Sequence, residues 1–241
     1  MRRGARWTLV SLLTILSGRA VAQTEADEPS FGDKGHIAIS VERLFGYVHA
    51  SQKTSQPAST GGDSTTTDSV FSVLGSPITA ATSIYTFPRV AFDLFVAPGL
   101  SIGASISYFH VSESLGQLAM TTTNGSASLS GIVAAPRIGY AARLSPTVWL
   151  WPRAGITYVN ASNDNTFGTD TGTVSVSLFA ATIEAPLTVA VVPRALILVG
   201  PTADIGLSGT RKSSSSAAGP APNRDIKETD FGVQAGVLLF L

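Results

Sequence analysis

Apolar and polar residues alternate along much of this chain with a period of two, the pattern of a β-strand whose two faces meet different surroundings. The clearest example starts at Phe231, where odd-numbered positions carry apolar side chains and even-numbered positions carry Gly or Gln as far as Gly236. Segments 99–112 and 195–210 show the same division between an apolar face and a face of small or polar residues. The pattern therefore predicts two-faced strands.

Eight segments of this kind are predicted as strands: 35–51, 84–97, 99–112, 127–144, 146–160, 173–191, 195–210 and 227–241. Each supplies the about 9 to 11 residues that a tilted strand needs to cross a bilayer. Short turns alternate with long loops rich in Ser, Thr, Gly, Asn and Pro, the long ones lying at about 52–83, 113–126, 161–172 and 211–226. This order predicts an all-β fold, an eight-stranded antiparallel up-and-down transmembrane β-barrel over residues 35–241.

The first 22 residues have the features of a secretory signal peptide. Arg2, Arg3 and Arg6 precede an apolar run, and the sequence Ala-Val-Ala at 20–22 offers a cleavage site. The run has about ten residues, too few for a spanning helix, which needs about 20. We therefore expect cleavage after residue 22 and a solvated periplasmic arm over 23–34.

The composition narrows the functional classes. Only 13% of the 241 residues are charged and none is Cys, whereas a soluble domain is about one quarter charged. Sixteen basic residues balance sixteen acidic ones, so no basic surplus favours nucleic acid. A soluble ligand-binding barrel also alternates, but its outer face would carry many Lys and Glu. It stays as an alternative to the membrane barrel, whose lipid-facing side explains the low charge.

Alternation places most charged residues of the strands on the inner face of the barrel. The seven that we assign to a network in the lumen are Glu42, Arg89, Asp93, Arg137, Arg153, Glu184 and Asp204. A charge facing lipid at the bilayer midplane costs about 2 to 4 kcal/mol for Arg, so the inner face is favoured. The network is interpreted as a salt-bridged plug or, alternatively, as the lining of a narrow ion or small-solute channel. Arg43 breaks the alternation, and a β-bulge or a position at the rim would resolve the conflict.

A catalytic role has one weak candidate. His110 and Ser112 stand two apart at the loop end of a predicted strand, the spacing that puts a base and a nucleophile on one face, as a lipid-directed hydrolase would require. Ser is abundant in this chain and His49 precedes Ser51 with the same spacing. We therefore expect no enzyme, and with three His and no Cys we expect no metal site and no cofactor.

Strand count, loop alternation, signal peptide and final strand together resemble the small eight-stranded outer-membrane barrels of the OmpA/OmpX type. The resemblance implies a monomer in the bacterial outer membrane with both termini in the periplasm. It also implies contact with outer-membrane lipid and lipopolysaccharide, and an assembly machinery that reads the strand end Phe240 and Leu241. The long polar loops are then expected to serve a structural or surface-interaction role with an unidentified surface ligand.

Overall fold

A computed structural model describes residues 30–55, 62–74, 76–77, 83–115, 125–167 and 169–241. The predicted signal peptide and residues 23–29 of the predicted arm lie outside these ranges. No helix among the described residues is long and apolar enough to cross a membrane. One compact unit extends from Phe31 to Leu241, and a 3-10 turn at Ile84–Thr86 interrupts its otherwise all-β structure.

Within these described ranges, fourteen strands form one antiparallel sheet. Their bounds are β1 Ile37–Ser55, β2 Ser64–Val73, β3 Ser76–Pro77, β4 Arg89–Ala97, β5 Leu100–Leu115, β6 Gly125–Tyr140, β7 Ala142–Ser145, β8 Val148–Leu150, β9 Arg153–Phe167, β10 Asp170–Glu184, β11 Leu187–Val192, β12 Ala195–Ser215, β13 Gly219–Pro220 and β14 Arg224–Phe240.

These strands build an eight-stranded closed barrel, which confirms the predicted fold. Three wall strands are each interrupted once, giving the pairs β6 and β7, β8 and β9, and β10 and β11. Pairing of β1 with β14 closes the wall, while β2, β3 and β13 extend beyond it. All eight predicted strands are present, but the one predicted at 84–97 begins only at Arg89, because residues 84–86 form the 3-10 turn. Several strands continue into segments predicted as loops, such as 161–167 and 211–215.

Two interruptions coincide with prolines, which have no N–H to donate to a sheet. Pro152 separates β8 from β9, and Pro186 separates β10 from β11. Their carbonyl groups still accept hydrogen bonds across the sheet, from the N–H groups of Tyr140 and Trp151, each at 2.9 Å. The wall therefore stays continuous although the ladder is locally irregular.

The two faces of the wall differ in the sense that the alternation predicts. Every wall strand carries exposed large apolar side chains on its outer face, for example Phe92, Ile138 and Ile183. The inner face is filled in three successive layers along the barrel axis. An aromatic layer lies at the end of the short turns, which is the lower end of the barrel, and a charged layer occupies the middle. A second apolar layer, the upper apolar layer, lies toward the long loops.

The aromatic layer corrects one expectation. Phe31 belongs to the segment expected to be a solvated arm, yet its side chain is 2% exposed. Its ring makes edge-on contacts with Phe95, Trp149, Trp151 and Phe240, at centroid distances of 5.1 to 5.8 Å. Burial of an aromatic ring is strongly favourable, which is why this part of the arm turns into the barrel and closes its turn end.

Along one of its edges, strand β1 pairs with two different strands. Its first part, Ile37 to Glu42, pairs with β4, and its second part, from Phe45 onward, pairs with β2. A β-bulge between Val41 and Phe45 separates the two parts. The wall strand β4 is consequently short, and β2 takes its place beside the upper part of β1.

Candidate functional site in the barrel lumen

Arg137 is the centre of the charged layer. Its guanidinium donates to both carboxylate oxygens of Glu42, at 2.6 and 2.8 Å, and from Nε to Asp93 at 3.0 Å. A second guanidinium nitrogen also binds Asp93. Paired hydrogen bonds of this kind fix both partners in orientation as well as in charge. Arg137 therefore joins β6 to β1 and β4 through the lumen.

Arg153 extends the layer toward β10. It lies between Glu42 and Glu184, with a distance of 2.7 Å from Nη2 to Glu184. Its guanidinium also covers the ring of Trp151, 4.6 Å from the centroid. A cation above an indole face is attracted by the ring quadrupole, so this contact couples the charged layer to the aromatic layer below it.

Arg43 is the residue that strict alternation misplaces. Its φ of 59° lies in the left-handed region, and the bulge turns its side chain into the lumen. There it binds Asp204 at 2.8 Å and Glu184 at 3.1 Å. It also donates to the backbone carbonyl of Tyr85 in the 3-10 turn. With Arg43, four arginines face four carboxylates among the described residues of this layer, so the charges balance.

Arg89 is buried in the same layer with fewer partners. It is 2% exposed, and its one hydrogen bond among the described residues goes to Thr157 at 3.4 Å. Thr157 in turn contacts Thr182, which donates to Asp204 at 2.6 Å. Arg89 is thus connected to the acids through two hydroxyl groups, an arrangement that needs the surrounding carboxylates to offset its charge.

Two further acids lie above this layer. Ser83 contacts both Glu228, at 3.0 Å, and Asp230, and its oxygen accepts the backbone N–H of Tyr85. Both acids belong to β14, so Ser83 ties the start of the 3-10 turn to the last strand of the wall.

The upper apolar layer covers these charges from the side of the loops. Tyr85 and Phe87 enter it from the 3-10 turn, and Phe87 stacks on Phe109 at 4.0 Å between centroids. The remaining buried side chains of this cluster are Val133, Val159, Ala161, Leu178, Ala180 and Ile226. The 3-10 turn is therefore an inner plug, fixed by a layer of ion pairs below it and apolar packing around it.

Little space is left inside the charged layer. Among the described residues of this layer, two cavities have volumes of about 30 and 10 Å³, which is room for one or two water molecules. A wider cavity of about 370 Å³ lies above the plug, lined by Ile84, Leu129 and Val176 and by polar residues such as Asn163 and Arg211. The lumen thus opens toward the loops and is closed below them.

The structure brings all seven residues of the expected network together inside the barrel. The sequence-based network did not include Arg43, Glu228, Asp230 or Tyr85. Glu228 and Asp230 continue the even-numbered inner positions of the last strand, so extending its alternation toward the loop would have found both. Tyr85 falls on the inner side by the same count as Arg89 and Asp93, although it reaches the lumen from the 3-10 turn and not from a strand.

The remaining candidates lie elsewhere. His110 and Ser112 are exposed on β5, and neither takes part in the hydrogen-bond network described for the barrel interior. Phe240 is buried in the aromatic layer, while Leu241 is outside and pairs with Ile37 through two backbone hydrogen bonds. Among the described residues, no group of three or more His, Asp or Glu side chains is arranged to hold a metal ion.

Comparison with known proteins gives the fold. No protein-family model matches this chain, and no curated protein matches it. Among solved structures, the outer membrane protein AlkL in lipid bilayers has a TM-score of 0.53 at 10% identity, covering 91% of this chain and 96% of that one. A major outer membrane protein from Thermus thermophilus gives 0.44 at 10% identity over 82% of this chain and 99% of that one.

A further similar structure is Ail, the attachment invasion locus protein of Yersinia pestis, with a TM-score of 0.34 at 13% identity. The match covers 86% of this chain and 99% of that chain. At 10% identity the likeness to AlkL concerns the fold, and it agrees with the closed wall and the outward apolar face described above. The chain has the fold of the small outer-membrane β-barrels.

Proposed function

We propose that this protein is a monomeric, non-catalytic barrel of the bacterial outer membrane whose lumen is closed and whose long loops carry its function at the surface. The termini and short turns then lie in the periplasm, and the loops meet an unidentified surface ligand. The observation that carries the proposal is the lumen itself, in which aromatic, charged and apolar layers succeed one another and the described cavities of the charged layer hold only isolated water molecules.

The distribution of side chains favours a membrane over a soluble location. Large apolar residues are exposed around the whole outer face, where a soluble barrel would carry charged groups. The inner face holds ion pairs instead of the apolar cavity of a soluble ligand-binding barrel. Such an exterior needs lipid around it, since exposed apolar area of this extent in water causes aggregation. Lipid and lipopolysaccharide are therefore its expected surroundings, and the barrel-assembly machinery its route there.

The location is tested by fractionating cells that express the full chain. We expect the protein in the outer membrane fraction, shortened by the signal peptide, and with faster gel migration before boiling than after it. The reason is that a closed barrel with a continuous hydrogen-bonded wall resists detergent until heated. Recovery in the soluble periplasmic fraction without a heat-dependent shift would contradict the proposal.

The closed lumen is tested by electrical recording. We expect the purified protein to give no current steps above the lipid background in planar bilayers, because ions would have to displace buried ion pairs and aromatic rings. The Arg137→Ala variant is expected to lose stability without gaining current, since the aromatic and upper apolar layers remain. Reproducible steps in the native protein that this variant alters would favour the narrow channel instead.

A further inference from the structure

The wide cavity above the plug has an apolar floor. Ile84, Leu129 and Val176 line it there, and all three pack against the upper apolar layer. The ten residues of the lining all belong to the described ranges, and nine of them are on wall strands. Its volume of about 370 Å³ equals that of about twelve water molecules in the liquid. A cavity of this size at the mouth of a barrel is large enough for a small organic ligand.

An unsatisfied polar atom faces this cavity from β9. Among the described residues, the Oδ1 oxygen of Asn163 is buried and has no hydrogen-bond partner. Its neighbours in the sheet are Val174 on β10 and Leu129 on β6, and neither has a polar side chain to offer. A buried acceptor without a donor costs free energy, so a ligand that donates a hydrogen bond at this point is favoured.

A cation with no partner lines the cavity from β12. Within the described part of the chain, no hydrogen bond or ion pair engages the side chain of Arg211. The acid of the lining, Glu228, already accepts from Gln52 at 3.2 Å and contacts Ser83 at 3.0 Å. Arg211 lies opposite Arg224, which is four residues, or about 13 Å, nearer to the loops along β14 than Glu228 is. Arg211 is therefore available for an anionic group at the upper end of the cavity.

An apolar strip separates these two polar groups. Val176 on β10 lies in register between Arg211 and Ala161, and Val174 on the same strand lies beside Asn163. Because neighbouring strands are about 4.8 Å apart, the Cα atoms of Arg211 and Asn163 are separated by about 10 to 12 Å. An apolar chain with an anionic group at one end and a hydrogen-bond donor at the other matches this arrangement.

We propose that the cavity binds a short aliphatic carboxylate that carries a hydroxyl group at its other end. The carboxylate binds the guanidinium of Arg211, whose paired N–H groups fit its two oxygens. The methylene groups pack on Val174 and Val176, and the hydroxyl donates to Oδ1 of Asn163. The site lies inside the wall and goes beyond the proposed surface role, so it depends neither on the loop ligand nor on the surrounding lipid.

Isothermal titration calorimetry of the full-length protein in lipid nanodiscs tests the site, with empty nanodiscs as the blank. The probes are 8-hydroxyoctanoate, octanoate, which lacks the hydroxyl, and 1,8-octanediol, which lacks the charge. We expect 8-hydroxyoctanoate to bind about 2- to 10-fold more tightly than octanoate and at least about tenfold more tightly than octanediol. The second difference is larger because a hydrogen bond to a charged group contributes more than one between neutral groups.

Two variants assign the preferences to their residues. Arg211→Gln should remove the preference over octanediol, and Asn163→Leu should remove the preference over octanoate. Lys212→Gln is the matched control and should keep both preferences, because Lys212 is exposed and faces the other side of β12 while the same charge is lost. Heat-dependent gel migration shows whether each variant folds. If Arg211→Gln does not fold, Val174→Trp replaces it, because it fills the cavity and should abolish binding of all three probes.

Three results would overturn the site: no binding above the blank, equal affinity of the native protein for the three probes, or equal effects of Arg211→Gln and Lys212→Gln. None of them bears on the membrane location or on the closed lower lumen, which cell fractionation and electrical recording test separately.

Discussion

Replacing Arg137 by Ala is expected to lower the free energy of unfolding by about 3–5 kcal/mol, the cost of leaving buried charges without their partner. Arg137 is bound to both oxygens of Glu42 and to Asp93, and within the described part of the chain no second cation forms an ion pair with Asp93. The measurement is urea-induced unfolding of the folded protein in lipid vesicles, followed by tryptophan fluorescence.

The exposed ion pair of Lys53 with Asp63 provides the control. Its nitrogen and oxygen are 3.3 Å apart, but the two side chains are 56% and 51% exposed, and such pairs contribute about 0 to 1 kcal/mol. Lys53→Ala should therefore change stability little. In the double variant Arg137→Ala with Asp93→Asn, the loss should be smaller than the two single losses added together, because the orphaned carboxylate is gone. Equal losses for Arg137→Ala and Lys53→Ala would show that the buried network does not stabilise the barrel.

The inward orientation of the charged side chains could be predicted, because side chains alternate between the two faces of a strand and a membrane penalises a charge on the outer face. In a strand, every second side chain faces the same side, and burying a paired charge in the lumen is far less costly than presenting it to lipid. Asp93 and Asp204 followed directly from counting along their strands. The partners of each charge could not be predicted, since they depend on the register between strands distant in sequence, as with Arg43 and Asp204.

A local shift of two residues in strand register explains the main difference from the sequence-based picture. The bulge after Val41 turns Arg43 inward, where the uninterrupted count would place it against lipid. Four residue steps on β1 oppose two on β14 between Val41 and Phe45, so odd-numbered positions such as Ile39 and Phe45 face outward on both sides of the bulge, and the change of face is confined to Arg43. The sequence marks the conflict, because Glu42 and Arg43 cannot both face the lumen in a regular strand, but it does not say how the chain resolves it.

The elements that close the lumen were the least predictable. Residues 84–88 were predicted as the start of a strand, but they form a 3-10 turn and its exit, which place Tyr85 and Phe87 in the lumen, held by contacts of Ser83 with Glu228 and Asp230. The segment around Phe31 gave no signal, because a single aromatic residue among polar ones makes no pattern. In both cases the closing element enters from outside the wall, and the space it fills exists only once the barrel has formed.

The consequence for the turn end is that Phe31→Ala should destabilise the folded barrel by about 3–5 kcal/mol, as is typical when a buried Phe is truncated. The ring is surrounded by four aromatic side chains of the wall. Its removal leaves a cavity that these rigid neighbours cannot fill. Urea unfolding in the same vesicles measures the loss, and the fluorescence of Trp149 and Trp151 should shift to the red in the folded state as water enters.

Phe92→Ala is the matched control, because Phe92 lies half exposed on the outer face of β4 and lipid can take the place of its ring. Its loss of stability should be clearly smaller, with no spectral shift. Phe31→Ala should also leave the bilayer without current steps, since the charged layer above it is complete. If Phe31→Ala and Phe92→Ala destabilise equally and the spectrum does not move, Phe31 does not close the turn end and the segment is the solvated arm that its sequence first suggests.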